Sequence, residues 1–125
     1  MENLFEAHDA LAVAELIRSR RISAREVLDT SLEDLRKVNG TLNAITDFYE
    51  GELLEKSIAA AGDGPFHGIP FVVKQLMADC AGTPTTVGSR ILAGWKPPYD
   101  AGVVENLRAN LMPILGKTNM DEFAM

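Results

Sequence analysis

Ser23 and Glu26 stand three residues apart at the head of an apolar stripe, and this pairing limits the folding of the chain more than any other local feature. In a serine-x-x-glutamate pair the hydroxyl accepts from a backbone N–H of the first helical turn. The carboxylate reaches back to the serine's own N–H, so the pair marks a helix start. Ser23 is therefore expected to be a cap and not a nucleophile. Beyond it Val27, Leu28, Ser31, Leu32, Leu35 and Val38 recur at helical spacing, and Asn39-Gly40 supplies a stop signal. A stripe of that length needs cover, so the chain has to fold in layers.

Upstream, Leu11, Val13, Ala14, Leu16 and Ile17 predict a helix over Asp9 to Arg20, with Glu15 and Arg18 turned to solvent. Downstream, Ala44 to Phe48 reads as a short strand. Leu53, Leu54, Ile58 and Ala61 then suggest a further helix closed by Gly62. Gly64-Pro65 and Gly68-Ile69-Pro70 punctuate the entry to Phe71-Val72-Val73, an apolar run read as a buried strand that leads directly into Lys74. Thr83 to Ser89 is turn-rich, Ile91 to Trp95 is a short apolar segment, and Pro97-Pro98-Tyr99-Asp100 is another loop. Asp100 is placed to cap a helix whose buried face is Val103, Val104 and Leu107. Pro113 to Gly116 reads as a strand, and Asn119 with Glu122 repeats the capping-box spacing. The expected architecture is a single α/β domain over residues 1–125. Residues 1–62 form a helical part, and residues 63–125 form a small mixed sheet packed with helices.

At 125 residues with 46% apolar side chains, the chain is long enough to bury a core of its own. Twelve basic against eighteen acidic side chains leave a formal charge of −6, which repels phosphate and anionic lipid and argues against a nucleic-acid partner. The cluster Arg18, Arg20, Arg21 and Arg25 is read as a solvated helix end. No apolar run approaches the roughly 18 residues of a membrane span, and MENLFEAHDA lacks the basic-then-apolar order of a signal peptide. A cytoplasmic protein without a membrane partner is expected. One cysteine, Cys80, excludes an intrachain disulfide and fits a reducing compartment.

Few residues offer chemistry. A lysine at the end of an apolar strand can be neutralised by desolvation and then serve as a general base, which singles out Lys74; the bland alternative is a strand-end lysine that snorkels to water. Cys80 with His8 or His67 would make a cysteine–histidine pair, but the three are distant in sequence, and His67 sits in a glycine-proline turn. Gly116-Lys117-Thr118 imitates the end of a phosphate-binding loop, yet the glycine required five residues earlier is Leu111, so nucleotide binding is rejected. Asp121 and Glu122 are adjacent carboxylates at a helix start, favoured there by the dipole and not placed as an acid–base pair. No metal-ligand spacing occurs, and no cofactor is expected.

Taken together, GPFHGIPFVVKQ, GTPTTVGSRIL, PPYDAGVVENLR and ILGKTNMDEFAM, in that order, resemble the amidase signature family; the helical first part resembles that family's N-terminal helices more loosely. The resemblance implies a large mixed sheet covered by helices. It also implies that Lys74 stands where the family's general-base lysine partners two serines, one of them the acyl-accepting nucleophile. The family's glycine-serine-rich segment with both serines would begin after Met125, so the expectation is a truncated core in which Lys74 is vestigial and no residue is catalytic. Gln75 stands where the family has aspartate, which removes an expected hydrogen-bond support of Lys74. Leu76 to Gly82, with Met77 and Cys80, is atypical and suggests a relaxed active-site task.

The leading expectation is accordingly a non-catalytic accessory protein. It would bind a protein partner, a biosynthetic enzyme above all, in a chaperone-like, foldase-like or scaffold role, or would self-associate as a homo-oligomer. The alternative is part of a split amidase or amidotransferase in which Lys74 meets serines on another chain, and a third reading is a degenerate fragment with no selected function.

Overall fold

In the computed structural model, which describes residues 4–59 and 64–125, three helices come first: α1 (Leu4–Ala7), α2 (Ala10–Arg18) and α3 (Ala24–Leu42). The capping box opens α3 in full. Glu26 N–H donates to Ser23 Oγ at 3.1 Å and Ser23 N–H donates to Glu26 Oε2 at 2.8 Å, an arrangement that stabilises a helix start by about 1 kcal/mol. Asp9 caps α2 from one side only, its carboxylate accepting from Ala12 N–H at 2.8 Å.

The stop signal lies elsewhere than Asn39-Gly40. Helix α3 runs on to Leu42, and Asn43 terminates it in the left-handed region at φ 48°, donating to Asn39 O at 2.8 Å; asparagine tolerates that conformation better than most residues. Asn39 uses its side chain instead, accepting from Ile45 N–H and donating to Ile45 O, so it ties the helix to the strand that follows. The apolar stripe is also shorter than its sequence pattern. Val27, Leu28, Ser31 and Leu32 are buried, whereas Val38 is 47% exposed. In α2 the buried face is Val13 and Ala14, and Leu11 lies outside it.

The remaining regular elements are β1 (Ile45–Phe48), α4 (Glu52–Ala59), β2 (Phe71–Lys74), α5 (Gly102–Ala109) and β3 (Ile114–Thr118), with 3-10 turns at Arg90–Leu92 and Glu122–Ala124. The closure of α4 at Gly62 lies outside the described residues. The strands form one sheet in the order β1-β3-β2, with β3 antiparallel to β1 and parallel to β2. One face of the sheet packs Leu115 and Val72 against Leu28, Leu32 and Leu54 from α3 and α4. The other packs Val73 and Ile114 against Tyr49, Ala78, Cys80 and Val104 of α5. A third cluster joins Val13, Ala14 and Val27 to Ile69. The α/β expectation holds, with a mixed sheet between helical layers.

Two glycines are required by close approach. Gly68, at φ +78°, would bring a Cβ within 2.7 Å of Ala24 Cβ, so the turn before β2 docks directly on the first turn of α3. A Cβ at Gly116 would lie 2.2 Å from Asp47 O. Gly116 belongs to an irregularity in β3: Phe71 faces Ile114, but Val73 faces Lys117, so β3 spends one residue more than β2 over the same span. Such a bulge reverses the alternation of side chains beyond it. Lys117 consequently shares the face of Ile114 and Cys80, not the leucine face of Leu115.

Three local expectations fail for identifiable reasons. Asp100 does not cap α5, whose N-cap Ala101 has no side-chain bond. Its carboxylate instead accepts from Ala81 N–H at 2.7 Å and pairs with Arg108 Nε at 2.7 Å, joining the loop after β2 to α5. Val103 is 48% exposed, leaving Val104 and Leu107 as the inward face of α5. Asn119 and Glu122 make no capping box, because only a three-residue turn follows; Glu122 Oε1 accepts from Ser89 Oγ at 2.6 Å and Asn119 Oδ1 from Met120 N–H.

Candidate active site

Strand β2 carries Lys74 to its C-terminal end, where it pairs with Thr118 of β3 and Gln75 N–H donates to Thr118 O at 3.2 Å. The sequence led to a buried lysine there. The structure shows the opposite: Lys74 is exposed and its side chain has no hydrogen-bond or ion-pair partner among the described residues. Phe71-Val72-Val73 is only partly buried as well, with Val73 inside and Phe71 exposed, because β2 is an edge of the described sheet.

Gln75 is the buried residue, at 1% exposure. Its Nε2 donates to Thr46 Oγ1 at 2.9 Å and Asp47 Oδ2 at 2.8 Å, and its Oε1 accepts from Thr86 N–H at 2.8 Å. Both ends of the amide are therefore satisfied. Gln75 does not bond Lys74; it joins β1 to the turn-rich loop, and an ionised carboxylate at this position could not donate to Asp47. The glutamine is thus matched to its surroundings. The atypical residues of the following loop are also structural in part, since Ala78 and Cys80 belong to the core.

Lys117, whose glycine-lysine-threonine setting does not make a phosphate loop, proves to be the largest fully buried side chain among the described residues. Its Nζ donates to Ala78 O at 2.5 Å and Thr85 Oγ1 at 3.2 Å. Burial holds its pKa below the ordinary lysine value. The bulge that re-aims it is not visible in an alternating pattern, although the glycine beside it was a signal for one. Nearby, the Tyr49 hydroxyl meets Thr83 Oγ1 at 2.9 Å and Thr83 donates to Cys80 O at 2.8 Å; burial pushes the Tyr49 hydroxyl well above the usual phenol range.

The remaining candidates do not converge. Cys80 is fully buried and its thiol donates to Ala78 O, while His8 is exposed and His67 stays in its turn, so no cysteine–histidine pair forms among the described residues. Asp121 makes no side-chain cap and Glu122 binds Ser89. Of the arginine cluster, Arg18 pairs with Glu15, and Arg25 pairs with Asp29 and Glu55, which fits a solvated helix end. Among the described residues no group of acidic, histidine or cysteine side chains could hold a metal ion, and no helix is long and apolar enough to cross a membrane.

An exposed lysine thus ends β2, and the loop that follows is bonded to Lys117 and Gln75. The sequence model of the amidase family matches residues 26–125, and the chain belongs to that family. Among its relatives, a glutamyl-tRNA(Gln) amidotransferase subunit from Paenarthrobacter aurescens (strain TC1) is 42% identical over 100% of this chain. The alignment takes in 26% of that protein, so the chain spans about a quarter of the relative's length. Of solved structures, 6-aminohexanoate cyclic dimer hydrolase superposes with a TM-score of 0.85 at 33% identity, over 93% of this chain and 24% of the hydrolase. The corresponding glutamyl-tRNA(Gln) amidotransferase subunit from Thermotoga maritima superposes with a TM-score of 0.68 at 29% identity, over 82% of this chain and 21% of that one.

Proposed function

We propose that this chain supplies the lysine of an amide-cleaving centre, with Lys74 as its general base. The observation that carries this reading is the placement of Lys74: an exposed amine, unpartnered among the described residues, at the C-terminal end of a parallel strand pair. Ligands of open α/β sheets approach that end. On this reading, serines from the remainder of the amidase fold, in the same polypeptide or a separate one, meet Lys74 there. Acting as the base, the Lys74 amine accepts the proton of a bridging serine as that serine takes the proton of the nucleophile. The nucleophilic oxygen then attacks the amide carbonyl, backbone N–H groups stabilise the oxyanion, and the proton returns to the departing nitrogen. The reaction class is amide hydrolysis or amide-nitrogen transfer, in keeping with the names of the relatives.

The test combines the chain with the complementary part of the fold and follows ammonia release from glutamine or a simple amide. Lys74→Met should lower the rate by about two to four orders of magnitude, the usual contribution of a positioned base. Absence of release, or release indifferent to Lys74→Met, ends this reading.

A second reading, that of a non-catalytic accessory protein, is favoured by a different observation. An apolar groove of 370 Å³ lies between α3 and β2, lined mainly by Leu35, Val38, Pro70, Phe71 and Val72. A partner, for instance a biosynthetic enzyme, would seat there and be aided in a chaperone-like, foldase-like or scaffold role; a second copy is the other candidate. The accessory role requires that the chain alter the yield or activity of an enzyme encoded beside it. A chain that leaves both unchanged is not an accessory.

A further inference from the structure

We propose that Lys117 is a positioning residue for Lys74: its buried amine clamps the loop that leaves β2 and so fixes where the strand end, and the amine it carries, can sit. This inference rests on the reading of Lys74 as the general base.

The geometry is unusual for a lysine. Lys117 is fully buried, yet its hydrogen-bond partners are a backbone carbonyl, Ala78 O, and a hydroxyl, Thr85 Oγ1, with no carboxylate among them. Burying an amine is costly unless its protons find acceptors, and a leucine would fill similar volume without that cost. What the amine adds is a bridge between Ala78, four residues beyond Lys74, and Thr85 at the far side of the same loop.

The adjacent contact works on the same segment. Gln75, the residue after Lys74, accepts from Thr86 N–H, so Thr85 and Thr86 are held by consecutive anchors, one from β3 and one from the end of β2. Thr85 N–H is itself committed to Trp95 O at 3.0 Å. The β3 bulge is what brings Lys117 to this face, while Lys74, paired one position further on with Thr118, lies on the other. Lys117 therefore acts through the loop and makes no contact with a substrate at Lys74.

The test uses Lys117→Met, which keeps the bulk and removes the donors, and Thr85→Val, which removes one acceptor and keeps the shape. Amide exchange is read at Thr86 and Gly82, with α3 amides as the internal reference, and the ¹³C-methyl signal of reductively methylated Lys74 reports on the strand end. Exchange at Thr86 and Gly82 should rise about tenfold, as for one lost buried hydrogen bond, while α3 is unchanged and the Lys74 signal shifts. In the complemented enzyme kcat should fall with KM unchanged. A uniform rise that includes α3, or no change at the loop, overturns the proposal; should Lys117→Met fail to fold, Thr85→Val alone decides on the same criteria. If Lys74→Met abolishes activity while the loop is indifferent to both variants, the clamp fails and the base assignment stands. If the loop loosens and the Lys74 signal shifts but Lys74→Met leaves activity intact, the base assignment fails and the clamp stands.

Discussion

Gln75 Nε2 donates to Asp47 Oδ2 at 2.8 Å, so an amide buried directly after Lys74 neutralises the hydrogen-bonding demand of a carboxylate on β1. The pair holds because one partner can donate and the other can only accept. Its behaviour on substitution follows from that asymmetry.

Gln75→Asp places a second carboxylate against Asp47 and leaves Thr46 Oγ1 without its donor. Stability should fall by about 2–4 kcal/mol, as for a buried group that loses its partner and gains a like charge. Adding Asp47→Asn should restore part of the loss. Urea midpoints of the single and double variants, arranged as a cycle, check both statements, and simple additivity would disprove the coupling.

Stability should also depend on alkaline pH in two opposed ways. The folded state lowers the pKa of Lys117, so between that value and the 10.5 of a free lysine the unfolded chain binds more protons, and stability rises with pH. Tyr49 has the opposite sign. Its folded pKa is raised, so above the 10.0 of a free tyrosine the unfolded chain has lost a proton that the folded one keeps, and stability falls. Cys80, Asp79 and Asp47 share this environment, and the difference between wild-type and variant profiles isolates each group. Urea titrations across pH 7–11 should lose the rising limb in Lys117→Met and the falling limb in Tyr49→Phe.

Leu28 packs with Leu32, Leu54 and Leu115 where α3 meets the sheet, whereas Leu11 is 61% exposed on α2. Leu28→Ala should cost about 2–5 kcal/mol and Leu11→Ala less than about 0.5 kcal/mol. Equal shifts in thermal midpoint would contradict this assignment of the core.

Gly68→Ala should destabilise by about 1–3 kcal/mol, since it combines a left-handed φ of +78° with a Cβ at 2.7 Å from Ala24 Cβ. Gly40→Ala, in the interior of α3 with open space around it, should instead stabilise by up to about 1 kcal/mol. Chemical denaturation of the two variants gives opposite signs if the turn and helix are as described.

Local chemistry explains which parts of the fold were legible in the sequence. The Ser23–Glu26 box and the run into Lys74 encode their outcome within a few residues, and both elements form where expected. Asn119 and Glu122 have the same spacing as the working box, yet Glu122 is claimed by Ser89, 33 residues away, and Phe123 at φ 53° breaks the helical turn. Tertiary pairing there overrides a local signal. The site divides along the same line. The place of Lys74 at the end of β2 is legible from the apolar run before it, but its exposure depends on its being at a described sheet edge, which no apolar run can announce. Lys117 was missed because one extra residue in β3 changes the face on which every later side chain falls.

The strand order has a further consequence, for the time course of folding. The central strand of the sheet, β3, is the last of the three to be synthesised, and among the described strands β1 and β2 are joined only through it. On a ribosome, therefore, α2 and α3 can pair early through local contacts, while the edges of β1 and β2 remain unsatisfied until residues 114–118 emerge. The three described strands can therefore pair as a sheet only after β3 has been made, which places their closure late.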